Sequence, residues 1–179
     1  MKCEKEGKSK ASTMYKKILF CTDLYPGSDY AFAAALDLAE TSEAELIILH
    51  VLESRHRYSG QLITSDGEVW GSEEVFDRLK QKLQEYYLMR VESERPDFIK
   101  VAVRGGVPWL EILRVARKEK VDLIVMGPYT VRGSILDFVS NTPQLGNNAQ
   151  QVSLRARCPV SIITSPKQRQ ALEDDEIQP

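Results

Sequence analysis

The stretch from Val121 to Ser134 restricts the possible folds more than any other part of the sequence. It reads V-D-L-I-V-M-G-P-Y-T-V-R-G-S, and its residues 123–126 are all apolar. Apolar residues at successive positions are typical of a strand that helices cover on both faces of a parallel sheet. Gly127, Arg132 and Gly133 lie where the run gives way to a loop. Since ligands of such sheets bind just past the carboxyl ends of strands, we look for function in this loop.

Four further apolar runs alternate with segments in which apolar residues recur at helical spacing. The five predicted strands are 18–21, 44–52, 98–103, 121–126 and 159–164. This alternation predicts an α/β fold, a three-layer α/β/α sandwich with a five-stranded parallel sheet and right-handed crossovers. A strand order of 3-2-1-4-5 would put the switch point between strands one and four. Asp23, which follows the first strand, would then lie beside Gly127.

The connections in the predicted fold vary in length. Residues 53–72 lack a period and contain three glycines, which indicates a long crossover loop. A second long loop is predicted at 128–145, with a helical turn at 135–139. The G-G-V-P run at 105–108 is expected to end the third strand, and its proline suits the first turn of a helix. Asn147 is expected to cap the last helix.

The chain of 179 residues is predicted to form one domain with two tails. We expect a disordered extension at 1–14, a folded domain at 15–165 and a flexible acidic tail at 166–179. The formal net charge is −2, and no large basic field is evident that would hold a nucleic-acid backbone. No apolar run approaches the length of a membrane span, so no membrane association is expected.

The three cysteines are too few and too scattered to suggest a disulfide framework or a metal site. A reducing cytoplasm is therefore the expected location. His50 and His56 have no Cys or carboxylate at ligand spacing, so both are interpreted as structural or solvent-facing. No nucleophile elbow is visible, and we identify no catalytic residue.

Two readings of the candidate site remain open on the residues alone. The loop 127–134 can hold phosphate, since glycine lets the backbone approach an anion and Arg132 adds charge, or it is an ordinary loop. It is neither a Walker loop nor a G-x-G-x-x-G turn. Asp23 either accepts hydrogen bonds from a ribose or an adenine amine, or caps the first helix.

Several separate motifs together resemble the universal stress protein family. They are Y-K-K-I-L at 15–19 with Asp23, L-I-I-L-H-V at 46–51, G-x-P-x-x-E-I at 106–112, V-D-L-I-V-M-G at 121–127 and C-P-V at 158–160. The resemblance runs from Tyr15 to Thr164. It implies an adenine nucleotide α-hydrolase-like sheet, a homodimer formed through the edge of strand five, and a role in stress response.

The resemblance also implies a nucleotide site. ATP-binding members carry G-x2-G-x9-G-[S/T] after strand four, an Asp after strand one and a Val after strand two. Asp23, Val51 and Gly127 match these positions, whereas Thr130 stands at the second glycine. Arg132 and Gly133 belong to the same loop.

The last glycine of the motif has two possible registers. Counting forward without a gap reaches Ser140-Asn141, and counting back from Pro159 reaches Gly146-Asn147 with an insertion between 135 and 145. The second register is preferred because packing constrains the last helix and strand, whereas loops absorb insertions. Asn replaces the family's Ser or Thr in both.

We therefore expect a cytoplasmic stress-response regulator that binds ATP or AMP, with Mg²⁺ if the ligand is ATP, at the sheet switch point. At most slow ATP hydrolysis is expected. The alternative is a nucleotide-free homodimer whose surface and long loops bind a protein partner of unknown identity.

Overall fold

The computed structural model describes residues 14–25, 27–53, 61–63, 69–91, 96–128 and 145–164. In chain order the elements are β1 (Lys17–Thr22), α1 (Gly27–Ser42), β2 (Glu45–Glu53), β3 (Gln61–Ile63), β4 (Val69–Gly71), α2 (Ser72–Leu88), a single 3-10 turn (Pro96–Phe98), β5 (Ile99–Gly106), α3 (Pro108–Glu119), β6 (Leu123–Met126), α4 (Asn147–Arg155) and β7 (Val160–Ile162). No helix among these residues is long and apolar enough to cross a membrane.

Five of the strands form one parallel sheet in the order β5-β2-β1-β6-β7. Counted among these five strands, this is the predicted 3-2-1-4-5 order, which is confirmed. β1 is the middle strand, with Cys21 opposite Leu49 of β2 on one side and opposite Met126 of β6 on the other. After β1 the chain forms β2 and β5 on one side of it, and then β6 and β7 on the other side.

The central strands are apolar throughout because both faces of the sheet are covered. Phe20, Ile48 and Val125 belong to the core cluster that includes α1 and α2 residues. Leu19 and Ile124 belong to the opposite cluster, which includes α3 and α4 residues. Neighbouring residues of one strand thus pack into two different cores. A shift of the strand register by one residue would move each side chain to the opposite face of the sheet.

An aromatic cluster joins α1 and α2 to the sheet. The rings of Phe20, Phe32 and Tyr87 have centroids 4.6 to 5.5 Å apart in tilted and edge-on arrangements, which are the favourable ones for aromatic pairs. Only one of the two neighbouring tyrosines near the end of α2 faces the core. Tyr87 is fully buried, whereas Tyr86 is 39% exposed.

Two predictions about the connections are wrong. The region 53–72, predicted to be a loop, contains β3 and β4, which pair as an antiparallel hairpin with Leu62 opposite Trp70. The third strand of the main sheet does not end before Gly105, because Gly105 and Gly106 continue the pairing with the end of β2. The helical turn predicted at 135–139 and both predicted tails lie outside the described residues, apart from Met14.

Gly106 makes the transition from β5 into α3. Its φ angle is +143°, a conformation that side-chain-bearing residues rarely adopt, and a Cβ at this position would lie 3.1 Å from the Cγ of Glu111. Pro108 follows as the first residue of α3, where its fixed φ and missing N–H are tolerated. The G-x-P-x-x-E-I pattern thus has a local steric explanation.

Replacing Gly106 by Ala should therefore destabilise the protein by about 1 to 3 kcal/mol, the cost of holding a side chain in such a backbone conformation. Urea unfolding measures this loss. Gly127→Ala is the matched control, since a Cβ there meets no atom of a described residue within 4 Å and the φ angle is not positive. Equal stability of the two variants would contradict the steric explanation.

Candidate functional site

The candidate site lies at the carboxyl edge of the sheet, where β1 and β6 end side by side. Since Cys21 pairs with Met126, Asp23 and Gly127 follow two neighbouring strands at the same edge. In β2, His50 pairs with Thr22. The next residue, Val51, therefore lies at the level of Asp23, on the side of β1 opposite to β6. The three residues predicted from widely separated segments are therefore brought to one edge.

Asp23 organises the turn that leads into α1. Its Oδ1 accepts hydrogen bonds from the backbone N–H of Tyr25, at 3.0 Å, and from the hydroxyl of Ser28. Its Oδ2 accepts none from any residue that the structure describes. Asp23 therefore holds the turn before α1 and does not cap the helix, because neither donor is a backbone N–H of α1.

Gly127 leaves open space at the end of β6. A Cβ built on it would meet no atom of the described residues within 4 Å. The next residue, Pro128, accepts a hydrogen bond through its carbonyl from the backbone N–H of Gly146 at 2.8 Å. This bond fixes the start of α4 beside the end of β6, although 18 positions separate the two residues in sequence.

The helix α4 begins without a side-chain cap. Gly146 is the N-cap residue and Asn147 the first helical residue, so the prediction that Asn147 caps the helix is wrong by one position. The amides of a first helical turn have no acceptor within the helix. An uncapped turn of this kind favours an anion.

Of the eight predicted site residues, five lie at this edge: Asp23, Val51, Gly127, Gly146 and Asn147. Thr130, Arg132 and Gly133 lie outside the described residues, as does the alternative pair Ser140-Asn141. Gly146 and Asn147, the preferred register, lie next to the β6 end through the bond to Pro128.

A buried polar network beneath this edge was missed by sequence reasoning. The hydroxyl groups of Thr22 and Tyr87 lie 2.6 Å apart, and Thr22 Oγ1 also accepts from the backbone N–H of Leu24. The His50 Nδ1 lies 2.9 Å from the carbonyl oxygen of Thr22. The sequence feature that points to this network is a histidine inside an otherwise apolar strand, at the position that pairs with Thr22.

Burial shifts the titration of the network. It lowers the pKa of His50 below its usual 6.5, although the Thr22 carbonyl and Asp23 oppose the shift. Burial also raises the pKa of Tyr87 to about 12, partly offset by the hydrogen bond to Thr22. The imidazole is therefore neutral at pH 7 and the phenol keeps its proton, so the network orients the ends of β1 and β2 without adding charge.

The described residues of this edge offer hydrogen-bond acceptors and an uncapped helix start, and no activated nucleophile is found among them. Burial raises the pKa of the Cys21 thiol well above its usual range, which makes the thiolate inaccessible. No group of three or more His, Cys, Asp or Glu residues among them could hold a metal ion. The arrangement is suited to binding a polar, anionic molecule.

Comparison with known proteins agrees with this architecture. The model of the Universal stress protein family matches residues 14–164, and the chain belongs to that family. Universal stress protein MJ0577 of Methanocaldococcus jannaschii is 30% identical over 162 residues, which cover 85% of this chain and 96% of the relative. A universal stress protein of Thermus aquaticus is 33% identical over 159 residues, covering 84% and 99%.

Solved structures share the fold. The structure of MJ0577 has a TM-score of 0.53 at 27% identity, covering 85% of this chain and 97% of that one. A universal stress protein in complex with cAMP has a TM-score of 0.56 at 20% identity, covering 85% and 99%. The protein from Archaeoglobus fulgidus in complex with dAMP has a TM-score of 0.55 at 16% identity, covering 84% and 99%.

The lowered pKa of His50 predicts a particular pH dependence of folding. The unfolded state takes up the proton first, so the contribution of this residue is fully present above about pH 6.5 and is lost as the pH falls towards the lowered pKa. Wild-type stability should fall more steeply between pH 6.5 and 5 than that of His50→Gln, by at most about 1.4 kcal/mol per pH unit.

Urea unfolding at several pH values measures both slopes. His56→Gln, measured in parallel, accounts for the other histidine in the sequence. Parallel slopes for the wild type and His50→Gln would contradict a buried neutral imidazole.

Proposed function

We propose that this universal stress protein binds an adenine nucleotide, ATP or AMP, at the carboxyl edge of β1 and β6 and acts in the cytoplasm as a nucleotide-responsive regulator. One observation carries the proposal. The hydrogen bond from the Gly146 N–H to the Pro128 carbonyl holds the uncapped start of α4 beside Gly127. At the same edge, Asp23 Oδ2 accepts no hydrogen bond from a described residue.

The nucleoside would lie over the ends of β1 and β2. Asp23 Oδ2 is available to accept from a ribose hydroxyl or the adenine amine, while Oδ1 keeps the carboxylate oriented. Val51 is half-buried and packs against the cluster that includes α3 residues, so it offers an apolar contact near the same edge. Nucleotide pockets commonly combine a few placed polar groups with apolar walls.

The phosphates would lie over Gly127 and the first turn of α4. Glycine allows backbone amides to approach an anion closely, and helix N-termini favour negative charge. Thr130, Arg132 and Gly133 follow Gly127 in the sequence, and the Arg132 guanidinium would supply a cation to the same phosphates.

Mg²⁺ would accompany ATP through the phosphate oxygens, because Mg²⁺ in nucleotide sites is held largely by substrate phosphates and water. The described residues supply no metal cluster of their own. AMP needs no such ion. We propose that hydrolysis of bound ATP is slow at most.

Isothermal titration with MgATP, MgADP and AMP tests the proposal, with cAMP and dAMP added because proteins of the same fold form those complexes. Gly127→Ala should weaken binding at least tenfold, about 1.4 kcal/mol, because the methyl group occupies the phosphate approach. Its unfolding free energy should match that of the wild type, since no atom lies near the added Cβ.

Asp23→Asn provides a second variant. Its amide oxygen can still accept from the Tyr25 N–H, so α1 should remain in place while the nucleoside contact is weakened. Absence of binding heat and of thermal stabilisation at millimolar nucleotide would reject the nucleotide claim and leave the family assignment intact.

We further propose a homodimer formed through the outer edge of β7, whose surface would also serve a protein partner. β7 is a terminal strand of the described sheet. Ile163 N–H donates to Met126 and the carbonyl of Pro159 accepts from Ile124, so the amides of Val160 and Ile162 point away from β6. Leu154, in the helix leading to β7, is 72% exposed.

In sedimentation analysis, Leu154→Glu should weaken the dimer at least tenfold, because it puts a charge into an apolar contact. Met89→Glu is the matched control, since Met89 at the end of α2 is 86% exposed and lies on another element. A monomeric wild type, or equal effects of both changes, would reject the β7 interface. A dimer that binds its partner identically with and without nucleotide would instead favour the nucleotide-free interaction protein.

A further inference from the structure

A groove lies between α3 and α4, away from the candidate nucleotide site. Its volume is about 630 Å³, and Trp109, Leu113, Ala116 and Val121 contribute apolar lining. Val121 and Cys158, both in its wall, lie two residues before the first residues of β6 and β7. This part of the groove therefore lies at the amino ends of the strands, opposite the edge that carries Asp23 and Gly127.

The polar lining of the groove is entirely cationic. It consists of Arg114, Arg117, Lys118, Lys120, Arg155 and Arg157, all of them exposed, with no Asp or Glu among the lining residues. Arg114 is paired with Glu111. The other five form no ion pair with any described residue. The nearby carboxylates are engaged elsewhere, since Glu119 pairs with Lys17 and Asp122 accepts from the amides of Lys16 and Lys17.

Helix dipoles explain only part of this charge. Arg117, Lys118 and Arg155 lie in the last turns of α3 and α4, where cations are favourable. That effect does not explain why both helix ends, together with Arg157, surround the apolar floor of the groove. This floor is formed by Trp109, Leu113, Ala116 and Val121. Five cations that form no ion pair with a described residue repel one another around a shared concavity, and an anionic occupant relieves the repulsion.

The apolar floor of the groove further restricts the kind of molecule that can bind there. The Arg155 guanidinium lies 5.4 Å from the centre of the Trp109 ring, within the range of a cation–π contact, and so extends the basic rim over an aromatic surface. A small inorganic anion would use the rim alone. A segment with clustered carboxylates and apolar neighbours would use both the rim and the floor.

We propose that the groove binds an acidic segment of this same chain, Glu173–Asp174–Asp175–Glu176, which Leu172 and Ile177 flank. Four carboxylates complement the cationic lining, and the two apolar residues complement the apolar floor of the groove. The distance is within reach. Cys158 lines the groove six residues before Thr164, a span of at most about 22 Å, and the nine residues from Thr164 to Glu173 can extend about 30 Å.

Carbodiimide cross-linking of the full chain tests the proposal, because this reagent joins only amines and carboxylates in contact. At low salt, cross-links should join Lys118 or Lys120 to residues 173–176. In a mixture of ¹⁵N-labelled and unlabelled protein they should form within single chains. Their yield should fall at least fivefold in Arg117→Gln/Arg157→Gln, which leaves both lysines in place.

Lys80→Gln/Lys82→Gln is the matched control. It removes the same charge from exposed positions of α2 and should leave the yield unchanged. Cross-links spread equally over Lys80, Lys82 and Lys100 would overturn the proposal. Cross-links that form only between labelled and unlabelled chains would also overturn it, since the occupant would then be a second copy.

A peptide of residues 170–179 gives an independent measurement. It should bind the full chain carrying Glu173→Gln, Asp174→Asn, Asp175→Asn and Glu176→Gln about tenfold more tightly than the wild type, whose own segment competes at the high effective concentration of a tethered ligand. Arg117→Gln/Arg157→Gln added to this variant should abolish the difference. Equal affinity for wild type and neutralised chain, or no binding to either, would overturn the proposal.

Discussion

The pairing of β1 between β2 and β6 is the interaction on which the rest of the structure depends. Residues 18–21 pair with strands on both sides and supply apolar groups to both cores. Because this strand is central and parallel to its neighbours, the residue after it must emerge at the switch point. Asp23, Gly127 and the start of α4 share one edge as a direct consequence of that topology.

The same topology places two chemically different surfaces at opposite edges of the sheet. The carboxyl edge carries an acceptor, an open glycine and an uncapped helix start, supported from below by the Thr22, Tyr87 and His50 network. The amino edge gathers the cationic ends of α3 and α4. A nucleotide and an acidic peptide segment could be held at once, since the two regions lie at opposite ends of the strands.

The sequence predicts this fold well where burial sets the pattern. The run 123–126 is apolar because two helical layers cover it, and that pattern is local. The hairpin β3–β4 was missed since three-residue strands are too short for alternation to be read. The extension of β5 through Gly105 and Gly106 was missed because glycines usually end strands, whereas here pairing with Leu52 and Glu53 outweighs that tendency.

The site was predictable only as far as its residues follow strand ends. Contacts between distant segments, such as Thr22 with Tyr87 or Gly146 with Pro128, leave no local signal. The basic groove is a similar case. Its cations lie at 114–120 and 155–157, and only the packing of α3 on α4 brings these two groups to one groove.

Backbone hydrogen exchange with and without MgATP tests the central claim most directly, because the amides at the switch point are the groups proposed to meet the ligand. Nucleotide should slow exchange in peptides covering Asp23, Gly127 and the first turn of α4 at 146–149, and leave the groove residues 117–121 and 155–158 unchanged. Unaltered exchange at the switch point, with saturating ligand and measured binding, would contradict the account.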